Sequence, residues 1–299
     1  MIVSTHSPNL TAAVSAKHLV VCRSNLPPPP PPGADAQPPP TAEGAVPPPP
    51  PGTDAPPRIP STGTVSVSKI GLAEADLAKS DRYLDVTRSA LLFSRRVLLV
   101  EGLAEALLVP VFGELTFEGN HKALARLQAA TIVAIDGVDF EPYVRLLLSS
   151  CPLGQQRIAD RVAIVTDEDP VAGEPTSAGA ARKEALVGIA TAAGARASLL
   201  VELSPITLEA ALMGIPAIPA AQAVLRDVFL EGHPRSGENW KTRVEDAQAE
   251  KRAEAFRDLV GSTRTRKGDF AQRLAARARK GGFPVPPQFA SALRFLFED

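Results

Sequence analysis

Acids follow the ends of four short apolar runs in this chain. The runs at 97–100, 131–135, 162–165 and 198–201 lead into Glu101, Asp136, the triplet Asp167-Glu168-Asp169, and Glu202. Glu105 stands four residues beyond Glu101, across Gly102. A single acid after a strand is commonly a loop residue or a helix cap. Three or four brought to one edge repel one another unless cations lie between them, so the pattern implies a metal site. Short carboxylates at a solvent-facing rim suit Mg²⁺, which takes oxygen ligands in near-octahedral geometry and keeps several waters.

The elements that must position these acids follow from the same runs. Each run is short and rich in Val, Ile and Leu, and helical segments at 104–115, 140–149 and 176–193 lie between them. Apolar strands alternating with helices predict an α/β fold with a parallel sheet covered on both faces. Right-handed crossovers then bring all the strand C-termini to one edge, where open α/β sheets place their sites. Gly102 allows a tight turn that sets Glu105 beside the end of the first strand. Asp167 and Asp169, one residue apart, point the same way if the chain is still extended there, and Glu168 points away.

Composition bounds the rest. At 299 residues with 44% apolar content, the chain holds one sizeable core and an accessory region. A net charge of -1 does not advertise a nucleic-acid partner, so any such partner must be read from local patches. Cys22 and Cys151 form no CxxC pair, which indicates neither a zinc site nor a disulfide framework. No apolar run is long enough to span a membrane and no signal peptide is evident, so a cytoplasmic protein is expected.

The N-terminal part, residues 1–96, is expected to begin with a short apolar strand running into Thr5-His6-Ser7-Pro8. Strands at 17–23 and 64–69 are expected to pair. Between them, residues 27–60 hold 17 of the 30 prolines and read as an extended insertion in a loop, with a ligand for a proline-binding domain as the alternative. Residues 72–93 read as one or two amphipathic connector helices. After a second region at 97–215, residues 216–299 turn helical, with helices expected at 221–231, 240–260, 270–280 and 288–297. Residues 262–282 carry Arg264, Arg266, Lys267, Arg273, Arg277, Arg279 and Lys280 against the single acid Asp269. A basic helix is usually a solvated face. Beside an acidic metal site it would offset the repulsion between those acids and a phosphate backbone.

A strand ending Val100-Glu101-Gly102, a second ending near Gly137 and a third ending Asp167-x-Asp169 resemble the Toprim domain of topoisomerases, primases and several nucleases. Thr5-His6-Ser7-Pro8 resembles the end of an ATP-binding-cassette ATPase, where the histidine faces the γ-phosphate. With Arg266-Lys267-Gly268-Asp269-Phe270-Ala271 downstream, the whole resembles the C-terminal region of the overcoming-lysogenization-defect (OLD) family of ATPase-nucleases, which act in phage defence. The resemblance implies a Toprim-type Rossmann-like sheet of about four parallel strands flanked by helices, plus a C-terminal helical region. It implies a DNA endonuclease using two Mg²⁺ or Mn²⁺ ions held by Glu101, Glu105, Asp167, Asp169, Thr207 and Glu209. Glu101 and Lys267 would be catalytic, the lysine as a point charge on the transition-state phosphate.

Glu202 competes with Glu209 by position, and Asp136 is either a supporting acid or a helix cap. Arg264, Arg266, Arg273, Arg277 and Arg279 would contact DNA. The resemblance also implies an ATPase portion, largely outside this chain, through which ATP and a homodimer would enter. No GxxxxGK[ST] occurs in the chain, so it should not hydrolyse ATP by itself. A topoisomerase or primase relative, and a non-catalytic DNA-binding or dimerisation module, are the other readings; Tyr83 and Tyr143 are the only tyrosines open to a topoisomerase.

Overall fold

A computed structural model describes residues 2–25, 61–85, 88–152, 156–171, 173–262 and 267–298. The proline-rich segment expected at 27–60 and the basic residues Arg264 and Arg266 lie outside the described residues. Two strands, β1 (Val20–Asn25) and β2 (Ser61–Ser66), form an antiparallel pair in which Asn25 opposes Ser61. Four more form the central sheet: β3 (Arg96–Val100), β4 (Thr131–Ala134), β5 (Arg161–Asp167) and β6 (Leu199–Ser204). Their order is β4-β3-β5-β6 and every pairing is parallel, as the alternation of apolar runs and helices predicts.

The helices are α1 (Pro8–Ala12), α2 (Glu74–Tyr83), α3 (Leu103–Thr116), α4 (His121–Gln128), α5 (Glu141–Leu148) and α6 (Ala178–Ala192). Beyond the sheet follow α7 (Leu208–Met213), α8 (Pro219–Gly232), α9 (Gly237–Trp240), α10 (Arg252–Ser262), α11 (Lys267–Ala278) and α12 (Pro287–Phe297).

The pleat sorts the strand residues between two cores. Leu98, Val100, Ala163 and Val165 face one side, where Phe112 of α3, Trp240, Phe256 of α10, Phe270 of α11 and Phe289 of α12 pack together. Val97, Leu99, Val162 and Ile164 face the other, against Val144 and Leu147 of α5, Leu186 of α6, and Val65, Leu91 and Leu92 from the N-terminal part. Burying both faces is why these strands read as unbroken apolar runs.

Arg23 fastens the β1–β2 hairpin to the bottom of the sheet. Its guanidinium donates to the carbonyls of Phe93 (2.9 Å), Leu92 (2.8 Å), Ser94 (3.0 Å) and Ile158 (2.8 Å). At the top of β4, Arg88 donates to the Ile135 carbonyl at 3.3 Å and pairs with Asp136 at 2.5 Å.

Several local expectations change. The strands expected at 17–23 and 64–69 lie at Val20–Asn25 and Ser61–Ser66, with Val67–Lys69 a 3-10 turn, and in the connector Arg88–Phe93 is a 3-10 stretch rather than an α-helix. Residues 2–7 form no strand; Ile2 is fully exposed and no described strand lies alongside to pair with it. The helix expected at 240–260 is broken into α9, a π-turn at Lys241–Glu245, a 3-10 turn at Ala249–Lys251, and α10. Polar side chains hold that break: Trp240 Nε1 donates to Glu245 Oε1 at 3.0 Å, and Arg252 donates to the carbonyls of Ala247 and Glu245 at 3.0 and 2.9 Å. Helix α4, opened by an Asn120 side chain that accepts from the Ala123 N–H, fills the crossover between α3 and β4. No described helix is long and apolar enough to cross a membrane.

Candidate metal centre

The site lies at the C-terminal edge of the sheet, where β3, β5 and β6 pass into loops. Glu101 leaves β3, and Gly102, extended at φ -141°, caps α3. This brings Glu105 back within one helical turn; its Oε2 lies 3.2 Å from the point where a Cβ on residue 102 would sit. After β5, Asp167 is followed by Glu168, whose N–H donates to the Ser204 carbonyl at 2.9 Å, and by Asp169 in the left-handed region at φ 46°. The N-terminus of α6 closes on this loop: Gly179 donates to the Glu168 carbonyl at 2.9 Å. A Cβ on residue 179 would stand 2.3 Å from the Asp167 carbonyl oxygen, so only glycine permits the approach.

After β6, Ile206 is left-handed at φ 62°, an unusual conformation for a β-branched residue that costs about 1–3 kcal/mol. Asp136 after β4 is also left-handed, at φ 56°. Non-glycine strain therefore gathers at the loops of this one edge. Following Ile206, Thr207 caps α7 and Glu209 sits in its first turn, only 4% exposed.

Electrostatics tie these carboxylates into one group. Burial, followed by the charges of Glu101, Glu105, Asp169 and Glu209, pushes the Asp167 carboxyl up to about 8. Burial raises Glu105 as well, with Glu101 and Glu209 adding to the effect. Lys267, at the start of α11, pairs with Glu209 at 2.9 Å. Burial opposes its charge, but the hydrogen bond to Glu209 and the charges of Glu209, Glu105 and Asp167 hold its pKa above the ordinary lysine value.

Two buried oxygens here lack hydrogen-bond partners: Thr207 Oγ1 and Glu209 Oε2. Such groups are costly unless something satisfies them. The donor set, carboxylates and a hydroxyl, is the one a hard divalent cation takes, and the two orphaned oxygens give it atoms to bind. In their present rotamers, no three His, Cys, Asp or Glu side chains among the described residues already stand in coordinating geometry.

Residues 92–169 match the family model described as overcoming lysogenization defect protein-like, TOPRIM domain. This stretch is an OLD-like Toprim domain. It contains Glu101, Glu105, Asp167 and Asp169, while Thr207, Glu209 and Lys267 lie beyond the matched residues and are joined to the Toprim domain by packing. Among solved structures, the C-terminal region of the Burkholderia pseudomallei OLD protein is 22% identical, aligned over 69% of this chain and 98% of its own, with a TM-score of 0.48. The C-terminal region of the Xanthomonas campestris pv. campestris OLD protein is 25% identical over 69% of this chain and 95% of its own, with a TM-score of 0.47. No curated protein matches the chain.

The other candidates fall elsewhere. Glu202 accepts from Ser291 of α12 at 2.6 Å, inside β6 rather than at its end. Asp136 is paired to Arg88. His6 is exposed, its ring 6.2 Å from that of Phe93. Arg273 is exposed and Arg277 half-buried on α11, whereas Arg279 is engaged by Glu114 through two hydrogen bonds, of 2.9 and 3.2 Å.

Two Toprim-edge residues went unread in the sequence. Thr166 is buried, and its hydroxyl donates to Glu101 Oε1. Arg182 reaches in from α6 to Glu101, Thr166 and Asp169. Thr166 is a polar residue directly after the apolar run at 162–165 and before Asp167, a signal that was available. Arg182 had none, standing beside Lys183 and Glu184 in an alanine-rich helix.

Proposed function

We propose that this chain is a metal-dependent DNA endonuclease that cleaves phosphodiester bonds with two Mg²⁺ or Mn²⁺ ions. The observation that carries this reading is the pair of buried, unpartnered oxygens of Thr207 and Glu209 beside the crowded Glu105 and Asp167 carboxyls. Glu101, Glu105, Asp167 and Asp169, with Thr207 and Glu209, would hold the ions. Ions bound there would stabilise the attacking and leaving oxygens of the displacement.

The chain's own groups do the rest. The buried carboxyls supply oxygen ligands in a site walled by α3, α7 and α11. Lys267 is 66% exposed at its side chain while anchored to Glu209, so its ammonium stands where a scissile phosphate can meet it. Arg273 and Arg277 follow along α11 and would guide the phosphate backbone, with Arg264 and Arg266 preceding the helix. Arg279 is engaged by Glu114 and contributes less.

In this reading the nuclease is coupled to an ATP-binding-cassette ATPase, of which residues 1–96 carry the last strands, and ATP, His6 and dimerisation belong to that portion. A topoisomerase would need a nucleophilic tyrosine at the acids. Tyr143 is 2% exposed, Tyr83 donates to Asp139 at 3.0 Å, and the two rings stack on each other.

The test is nicking of supercoiled plasmid with Mg²⁺ or Mn²⁺ by wild type, Glu101→Ala and Asp167→Ala. Nicking by the wild type and loss of it in both variants is expected. No nicking, or equal nicking by all three, would refute the assignment, and sealed topoisomers would favour a topoisomerase.

A further inference from the structure

Glu101 is held from one side. Its Oε1 accepts from the Thr166 hydroxyl, from the Asp167 backbone N–H at 2.8 Å and from Arg182 Nη1 at 3.4 Å. No hydrogen bond from the described residues ends on its Oε2. Arg182 links the groups around it. The same Nη1 donates to Thr166 Oγ1 and, at 3.3 Å, to the Asp167 carbonyl, while Nη2 donates to Asp169 Oδ2 at 3.2 Å. The arginine side chain is only 14% exposed. One planar fork thus joins the end of β3, the end of β5 and the loop behind it.

We propose that Arg182 is a positioning residue for divalent-cation binding: with Thr166 it fixes the Glu101 carboxylate through Oε1 and so reserves Oε2 for the cation. The inference rests on the metal-centre reading above. Burial and the number of acceptors separate this contact from an exposed ion pair, which contributes little. The shape of the guanidinium also matters, because its donors reach several acceptors in fixed directions that an ammonium cannot reproduce. Partners that orient a metal-binding carboxylate change metal affinity by about 10–100-fold when removed.

Mn²⁺ binding to the full chain, followed by electron paramagnetic resonance of free Mn²⁺, tests the proposal without reference to cleavage. Arg182→Gln is expected to bind Mn²⁺ about 10-fold or more weakly than wild type while remaining cooperatively folded by circular dichroism. Arg182→Lys keeps the charge and loses the fork. It is expected to melt close to the wild-type temperature in chelator, yet to bind Mn²⁺ nearly as weakly as Arg182→Gln.

Unchanged or tighter Mn²⁺ binding by Arg182→Gln overturns the proposal, since a side chain that merely neutralised the acids would compete with the metal. Full recovery of affinity in Arg182→Lys overturns it too, by assigning the effect to charge alone. Should Arg182→Gln fail to fold, Thr166→Val decides: it removes the hydroxyl between Arg182 and Glu101, and wild-type affinity in that variant overturns the proposal. A wild type that binds no Mn²⁺ overturns the metal reading itself, and this proposal with it.

Discussion

The Asp167 carboxyl sets a pH dependence for the whole fold. In an unfolded chain an aspartate titrates near ~3.9, whereas burial and the neighbouring acids push Asp167 up to about 8 in the fold. Between those values the folded protein binds the proton more tightly than the unfolded chain does. Stability of the metal-free protein therefore falls as pH rises from about 4 to about 8, and levels off above that. Urea unfolding in chelator across this range is expected to show the decline in wild type and most of it gone in Asp167→Asn; equal slopes would contradict the assignment. The acids of this cluster were legible from sequence because Glu101, Asp167 and Asp169 each follow an apolar run. What surrounds them was less so. Arg182 sits in sequence among residues that face solvent, and only the close seating of α6 on the Asp167–Asp169 loop turns its side chain inward. The orphaned state of Thr207 Oγ1 and Glu209 Oε2 depends on neighbours distant in sequence, which no local pattern encodes.

Among the elements, the junction between β5 and α6 is built with the least tolerance. Gly179→Ala would set a methyl 2.3 Å from the Asp167 carbonyl oxygen and 2.8 Å from Glu168 Cα, backbone atoms that cannot swing aside. The expected cost is about 1–3 kcal/mol of stability by urea unfolding. Because the helix must back away from the loop, Mn²⁺ affinity should fall with it; a stable variant with unchanged affinity would show that the loop and helix move independently. The strands were legible because two buried faces require continuous apolar runs. Helix boundaries and breaks were less so. The 240–260 stretch keeps a helical apolar pattern, yet the hydrogen bonds of Trp240 and Arg252 divide it. Helix α4 is only eight residues long and was hidden behind the 14-residue α3 that precedes it. The left-handed Ile206 runs against its own side-chain preference, so local propensity could not have placed it.

At the scale of the molecule, the two ends of the sheet have different duties. The C-terminal edge carries the acids, Lys267 and the strained loops. The opposite end carries Arg23, whose guanidinium closes over four carbonyls and seats the β1–β2 hairpin. Replacing residues 26–60 by Asn-Gly, a dipeptide suited to a two-residue hairpin turn, is expected to preserve folding and Mn²⁺ affinity and to add up to ~2 kcal/mol through shorter loop closure. A variant that fails to fold, or that loses Mn²⁺ binding, would show that the segment serves the core or the acidic edge. The pairing of Asn25 with Ser61 has a practical side as well. The chain departs and returns through adjacent doorposts at the end of the sheet remote from the acids. That doorway is a splice site: a fluorophore, an affinity handle or a whole second domain installed there would report on or recruit the molecule while leaving the acidic edge unobstructed.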